Sequence, residues 1–313
     1  MAAILAIISS LDFLVAGIRM TTPLLLAAIG DIFSERTGVL NIALEAMMLI
    51  GAFGSFIFAY YSGNAYVGVL AAILLGGVMG LVHAFFTVTL RCDQVVTAVG
   101  ENIFALGVTS TLYRILLGAT PLQPESPGLP QLAIPVLDQI PVLGTVLFKH
   151  NILVYLGLLM VPLTYAVLFH TTWGLKIRAV GEHPQAADTL GINVYLVRYA
   201  CIILSCVLAS LGGASLTVGG LRYFMDNMTA GRGFIAFAAV IFGRYNPWGA
   251  LIATLLFGFT DAFQLRMQAM GLDLPYHLFL MLPYVVTLVV LVFMIGRSVV
   301  PRSQGIPYVR EER

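Results

Sequence analysis

The chain has 313 residues, 59% of them hydrophobic and 10% charged, with a net charge of +1 and a mean hydropathy of +0.96. Soluble domains carry about a quarter charged residues, so a water-soluble globular protein is excluded, and the near-neutral balance gives no footing for a nucleic-acid partner. Long apolar runs read as membrane-spanning helices, and an all-α polytopic membrane protein of about eight to ten transmembrane helices is expected.

The first ten residues are apolar but lack a basic leading region, and Asp12 and Arg19 follow closely. No cleavable signal is expected there. Asp31 to Arg36 (DIFSER) places charges between apolar runs and reads as a loop or helix junction tied by charge pairs, with Gly38 allowing close approach of helices. A gate is one use for such a junction. Ala46 to Leu90 is long enough for two crossings, with a turn at Tyr61 to Asn64.

Two apolar stretches are too short to span: Asn102 to Tyr113, between Glu101 and Arg114, and Gly233 to Gly243, between Arg232 and Arg244. Each suits a half-helix or re-entrant segment of the kind transporters bury in protein, or else belongs to a full span whose flanking charges snorkel. Residues 118–150 are Pro-rich and carry Glu125 and Asp138, as an ordered external excursion would. Further spans are expected over Asn151 to Leu175, Tyr199 to Leu221 and Pro275 to Gly296. Lys176, Arg178 and Arg198, and the arginines of the tail, put loop 174–198 and residues 301–313 on the cytoplasmic side. The domain reading is a single transmembrane domain over residues 1–300 followed by a cytoplasmic tail.

LNIALEAMML (40–49) and GFIAFAAVIF (233–242) align without gaps, and GVLAAILLGG (68–77) resembles GALIATLLFG (249–258). This weak internal duplication fits a transporter built from repeated halves. Cys92, Cys201 and Cys206 show no metal-ligand spacing and read as buried thiols; no metal site is expected.

The chain has no HExxH, no GxSxG, no GxGD pair and no GxxxxGK[ST] phosphate loop. An enzyme is not expected, and neither is ATP hydrolysis by this chain itself. Its most polar segment is GLKIRAVGEHPQAADTLGI, residues 174–192. Pro184 suits the first turn of a short helix, and Gly191 can close it in a left-handed cap. Ala186 and Ala187 would form a small-residue face open to another protein, unless the segment is simply a solvated loop.

GEHPQAADTLGINV resembles the coupling loop of membrane subunits of ABC importers, specifically the branched permeases for simple sugars and nucleosides. TPLLLAAIGDIFSERTGVLNIALEAMMLIGAF (22–53) resembles that family's N-terminal signature, closest to the shorter permease of bacterial nucleoside importers. CDQVVTAVGENIFALGVT (92–109) and GRGFIAFAAVIFGRYNPWGA (231–250) match two further blocks. Two departures stand out: Ala46 follows Glu45 where the family usually has Gly, and Gly100-Glu101 replaces an uncharged pair.

The resemblance implies a permease subunit in a bacterial inner membrane that moves nucleosides inward. It implies an ABC ATPase docked on Gly181, Glu182, Pro184, Ala186, Ala187 and Gly191, and a binding protein or lipoprotein on the opposite face. A second, homologous permease would complete a heterodimer. No cofactor of its own is expected, ATP being held by the ATPase. Polar groups at membrane depth usually face the bundle interior, so Asn41, Glu45, Asp93, Gln94, Asn102 and Asp261 are the candidates for the translocation path, with His83 beside them. Asn or Gln could hydrogen-bond ribose or base edges, and Phe104, Phe234 or Phe237 could stack on a base. Each polar group could equally serve as an interhelical hydrogen bond. Two alternatives stay open: a simple-sugar permease of the ribose or galactose type, and an ion-coupled secondary transporter using Glu45, Asp93 or Asp261.

Overall fold

The first apolar segment runs unbroken into DIFSER as helix α1 (Leu11–Arg36). The computed structural model describes residues 11–118, 124–133, 143–269, 281, 285–289, 292 and 300–310. Most of the span expected over 275–296 therefore lies outside the described residues, as do parts of the external excursion. Asp31 and Glu35 are not a charge-paired loop, as the sequence suggested. They sit in the last two turns of α1, fully buried.

Residues 37–43 leave the helix, and the chain resumes as α2 (Leu44–Ser62). The turn at Gly63-Asn64 separates α2 from α3 (Ala65–Ala84), which a π-helical turn prolongs over Phe85–Thr89. Asp93 then caps α4 (Gln94–Leu117), accepting from the amides of Val95 and Val96, both at 2.9 Å. The half-helix considered for 102–113 is thus part of a full crossing. Neither flanking charge ends it: Glu101 is buried against His83, with Nδ1 and Oε2 2.8 Å apart, and Arg114 reaches Asp226 at 3.5 Å.

Of the described residues in the expected excursion, β1 (Leu132–Ala133) pairs antiparallel with β2 (Lys149–His150), and α5 (Leu143–Leu147) precedes β2. Asn151 caps α6 (Ile152–His170), and Thr171 starts a new helix, so this span stops five residues short of the Leu175 expected from hydropathy. The polar segment is two helices, α7 (Thr172–Glu182) and α8 (Pro184–Thr189). Next come α9 (Val194–Leu216), extended by a π turn over Thr217–Leu221, then α10 (Arg232–Phe242) and α11 (Pro247–Ala269).

Seven helices among the described residues are long and apolar enough to cross a membrane. Three are mostly enclosed by protein: 72% of the spanning window of α1, 83% of α2 and 72% of α9 is buried, against 22–39% for α3, α4, α6 and α11. The inner layer is therefore α1, α2 and α9. Lipid chains give helices little hydrophobic reason to associate, so close backbone approach at small residues does that work. A Cβ on Gly213 of α9 would lie 1.8 Å from the Met48 carbonyl oxygen, and one on Gly51 of α2 would lie 2.2 Å from that of Ser210. The same crossing is tied by Ser55 Oγ and Thr217 Oγ1, 2.8 Å apart.

Because the atoms opposing Gly213 are backbone, no side chain can turn aside. Gly213→Val should destabilise the fold by about 1–3 kcal/mol or more through overpacking, read as a lower thermal midpoint of the detergent-purified protein. An unchanged midpoint would show that α2 and α9 do not cross there.

Candidate translocation and coupling site

Non-helical backbone at membrane depth is tolerated only when every amide and carbonyl finds a partner inside the protein. Several backbone groups of residues 37–46 find such partners in named side chains. The Leu40 amide donates to Gln94 Oε1 at 2.7 Å and the Ala46 amide to Asn102 Oδ1 at 2.9 Å. Ser34 Oγ donates to the Val39 carbonyl at 2.9 Å, and the Val39 amide returns to the Ser34 carbonyl at 3.3 Å. Gly38, at φ 82°, occupies the left-handed region that suits glycine. Gln94 and Asn102 thus serve the bend between α1 and α2. Asn41 joins that bend to α9 by donating to Ser205 Oγ at 3.0 Å.

Glu45 does the same for the second irregular segment. Its Oε1 accepts from Thr229 Oγ1 at 2.6 Å and from the Gly231 amide at 2.8 Å, and its Oε2 from the Gly233 amide at 2.7 Å. A carboxylate at a helix N-terminus satisfies orphan amides and complements the helix dipole. Glu45 therefore caps α10 from another helix, and Gly233 is small enough to lie directly on the Glu45 backbone. The two segments of the internal echo touch here.

The eleven residues of α10 rise only about 16 Å, half of a hydrocarbon core of about 30 Å. At its far end the Tyr245 carbonyl accepts from Arg36 Nε and Nη2, at 3.0 and 2.9 Å. Upstream, the Arg222 carbonyl accepts from the Ser126 amide of the external excursion at 2.7 Å. Residues 222–242 therefore leave α9 at the end that meets Ser126, turn at Glu45 and continue as the short helix α10, an apolar helix of the length the hydropathy of 233–243 suggested.

The remaining candidates are scattered. Asp93 is exposed as the α4 cap. Asp261 faces Arg232 at 3.7 Å, tying α11 to the start of α10. Phe104 lines an open apolar groove on the outward face of α4, of about 390 Å³, with Ile103, Gly107 and Val108. Phe234 is exposed on α10, whereas Phe237 packs against the core. The departure at Glu101 has its explanation in His83, which composition alone could not pair with it.

At the other end of the bundle, α7 lies on the end of α1 because Gly181 has no side chain: a Cβ there would be 2.1 Å from the Arg36 carbonyl oxygen. Arg36 and Arg178 both lie over the Phe169 ring, 5.7 and 5.3 Å from its centroid, and Glu182 supplies negative charge near Arg36. Pro184 begins α8 and Gly191 (φ 82°) follows it, as expected. The expected face of Ala186 and Ala187 needs correction: Ala186 is exposed, but Ala187 is 3% exposed and packs inward. The exposed apolar residue of this elbow is Leu190, at 82%, which reasoning from small residues missed.

The fold is a polytopic helical bundle with one short apolar helix, α10, packed among its spans and a polar helix pair keyed against the end of α1. The family described as branched-chain amino acid transport system / permease component matches residues 13–294, and the chain belongs to it. It is 38% identical over 302 residues to the guanosine ABC transporter permease protein NupQ of Bacillus subtilis, covering 93% of this chain and 94% of that one. It is 36% identical over 316 residues to the nucleoside ABC transporter permease protein NupC of Lactococcus lactis, covering 98% and 99%. It is also 36% identical over 263 residues to the Haloferax volcanii permease protein TsgC13, provisionally named for glucose, covering 83% and 78%. The chain is thus a multi-pass ABC permease subunit of the nucleoside and sugar group, a transport component rather than an enzyme.

Glu45→Gln sets an amide NH2 against one of the donors it now accepts from. The loss should cost about 1–3 kcal/mol and speed hydrogen exchange of the Gly231 and Gly233 amides by about tenfold or more. Unchanged exchange at both amides would contradict the capping role.

Proposed function

We propose that this chain moves nucleosides inward across a bacterial inner membrane, driven by ATP hydrolysis on a partner ATPase. The substrate reading rests on the near-full-length similarity to permeases named for guanosine and for nucleosides. The ATPase seats on α8 and the exposed Leu190, a binding protein delivers substrate on the face formed by the external excursion, and a second homologous permease completes the path. Family membership favours this cycle over an ion-coupled carrier. Asn41, Glu45, Gln94 and Asn102 act in it by holding the two irregular segments in place, and Phe104 and Phe234 remain the exposed aromatic candidates for the path. The second reading, a sugar permease, is favoured by the similarity to TsgC13.

Uptake of labelled uridine and adenosine by cells carrying the full gene cluster, with and without this chain, tests the substrate. Uptake should require the chain and be competed by unlabelled nucleosides but not by ribose or galactose; competition by a sugar alone would favour the second reading. Leu190→Asp should lower permease-stimulated ATP hydrolysis about tenfold or more, as loss of a central apolar anchor does, with membrane insertion intact. Ala187→Arg is the poorer probe, since its buried side chain would disturb the fold first.

A further inference from the structure

Residues 303–310 of the segment expected as a cytoplasmic tail form a strap fixed to four helices and the bend between α1 and α2. The Ser303 amide and Oγ donate to the Gly181 carbonyl, at 3.0 and 2.6 Å, and the Gly305 amide donates to the Gly38 carbonyl at 3.1 Å. Gln304 donates its side-chain amide to Glu35. The guanidinium of Arg198, only 1% exposed in α9, donates to the Ile306 carbonyl at 3.3 Å. Tyr308 is buried against Tyr195, with ring centroids 5.5 Å apart, and Arg310 Nε lies 3.3 Å from Asp188 of α8. Burial, then the neighbouring Asp188 carboxylate, hold the Tyr308 phenol above its usual range, so it stays a hydroxyl.

These anchors leave two apolar side chains facing out, Ile306 at 57% and Val309 at 50% exposed. Val309 stands between Tyr308 and Arg310, the two residues at Asp188, and Asp188 is two residues from Leu190. Strap and α8 therefore present one continuous surface. Fixed apolar side chains outside the spanning helices, bordered by Arg302, Arg310 and Asp188, suit a protein surface with an apolar centre and a polar rim.

We propose that residues 306–310 are a second ATPase-docking element, in which Ile306 and Val309 extend the surface of α8, and that the strap carries the docked subunit's motion to the bend at Gly38. The proposal rests on α8 being the ATPase seat. The occupant follows from continuity: a subunit large enough to cover α8 and Leu190 must also meet Val309.

The test uses the permease complex co-expressed with the ATPase of its own gene cluster, assembly first verified by co-purification. Leu190→Cys and Val309→Cys are each labelled with a thiol-reactive photocrosslinker in a Cys92→Ser background, since Cys201 and Cys206 are buried but Cys92, against expectation, is only partly so. Cross-linking of the ATPase from both positions is the expected result. Cross-linking from position 190 alone would overturn the strap proposal and leave the α8 reading standing. Cross-linking from neither would overturn both. As a second readout, the paired change Ile306→Asp and Val309→Asp should raise the ATPase concentration for half-maximal stimulation about tenfold without altering the yield of inserted permease. An unchanged concentration would count against the proposal.

Discussion

The structure turns on one constraint: among the described residues the polypeptide leaves the helix at 37–43 and 222–231, beside the most enclosed helices, and the amides buried there must find partners inside the protein. Each interruption is held by side chains from other helices. Gln94 and Asn102 of α4 serve the first, and Glu45 of α2 serves the second. An unsatisfied buried amide costs about 1–3 kcal/mol, so these few residues decide whether the bends persist. They also explain why α4, exposed over most of its surface, stays attached: its polar residues are what α2 and the bend require.

The same contacts join the α7–α8 pair to α10. α8 follows α7, and α7 lies on the end of α1 at Gly181. Arg36, the last residue of α1, holds the Tyr245 carbonyl at the lower end of α10. The upper end of α10 is pinned by Glu45. The C-terminal strap closes the circuit by bonding both Gly181 and Gly38. A force applied at α8 therefore meets hydrogen bonds and direct backbone contact along the way to α10. Interfaces packed this tightly switch between discrete arrangements rather than deform smoothly.

Much of this was legible in the sequence. Hydropathy and a Gly-Asn turn were enough for the α2–α3 hairpin, and an eleven-residue apolar stretch between two arginines was enough for α10. Pro184 and Gly191 marked the ends of α8 by local backbone chemistry alone. Reading failed where the answer depended on a partner far along the chain. Glu101 looked like the end of a short helix because His83, its partner, lies on another helix. Asp31 and Glu35 looked like a charged junction because nothing local says that a helix continues through them into the core. Glu45, Gln94 and Asn102 were recognised as buried polar groups, but their acceptors and donors lie 54 to 188 residues away. Ala187 was expected to face outward and does not, because a six-residue helix is too short for periodicity to fix its buried face.

The most direct test is a pair of spin-label distances in the assembled complex with and without bound ATP. One pair joins Gln185 on α8 to Phe234 at the top of α10, and the other joins Gln185 to Val96 on α4; all three side chains are exposed. If α8, α1 and α10 move as one unit, the first distance stays fixed on ATP binding while the second changes. A shift in the first distance with the second unchanged would mean that the ATPase signal reaches the membrane by another route.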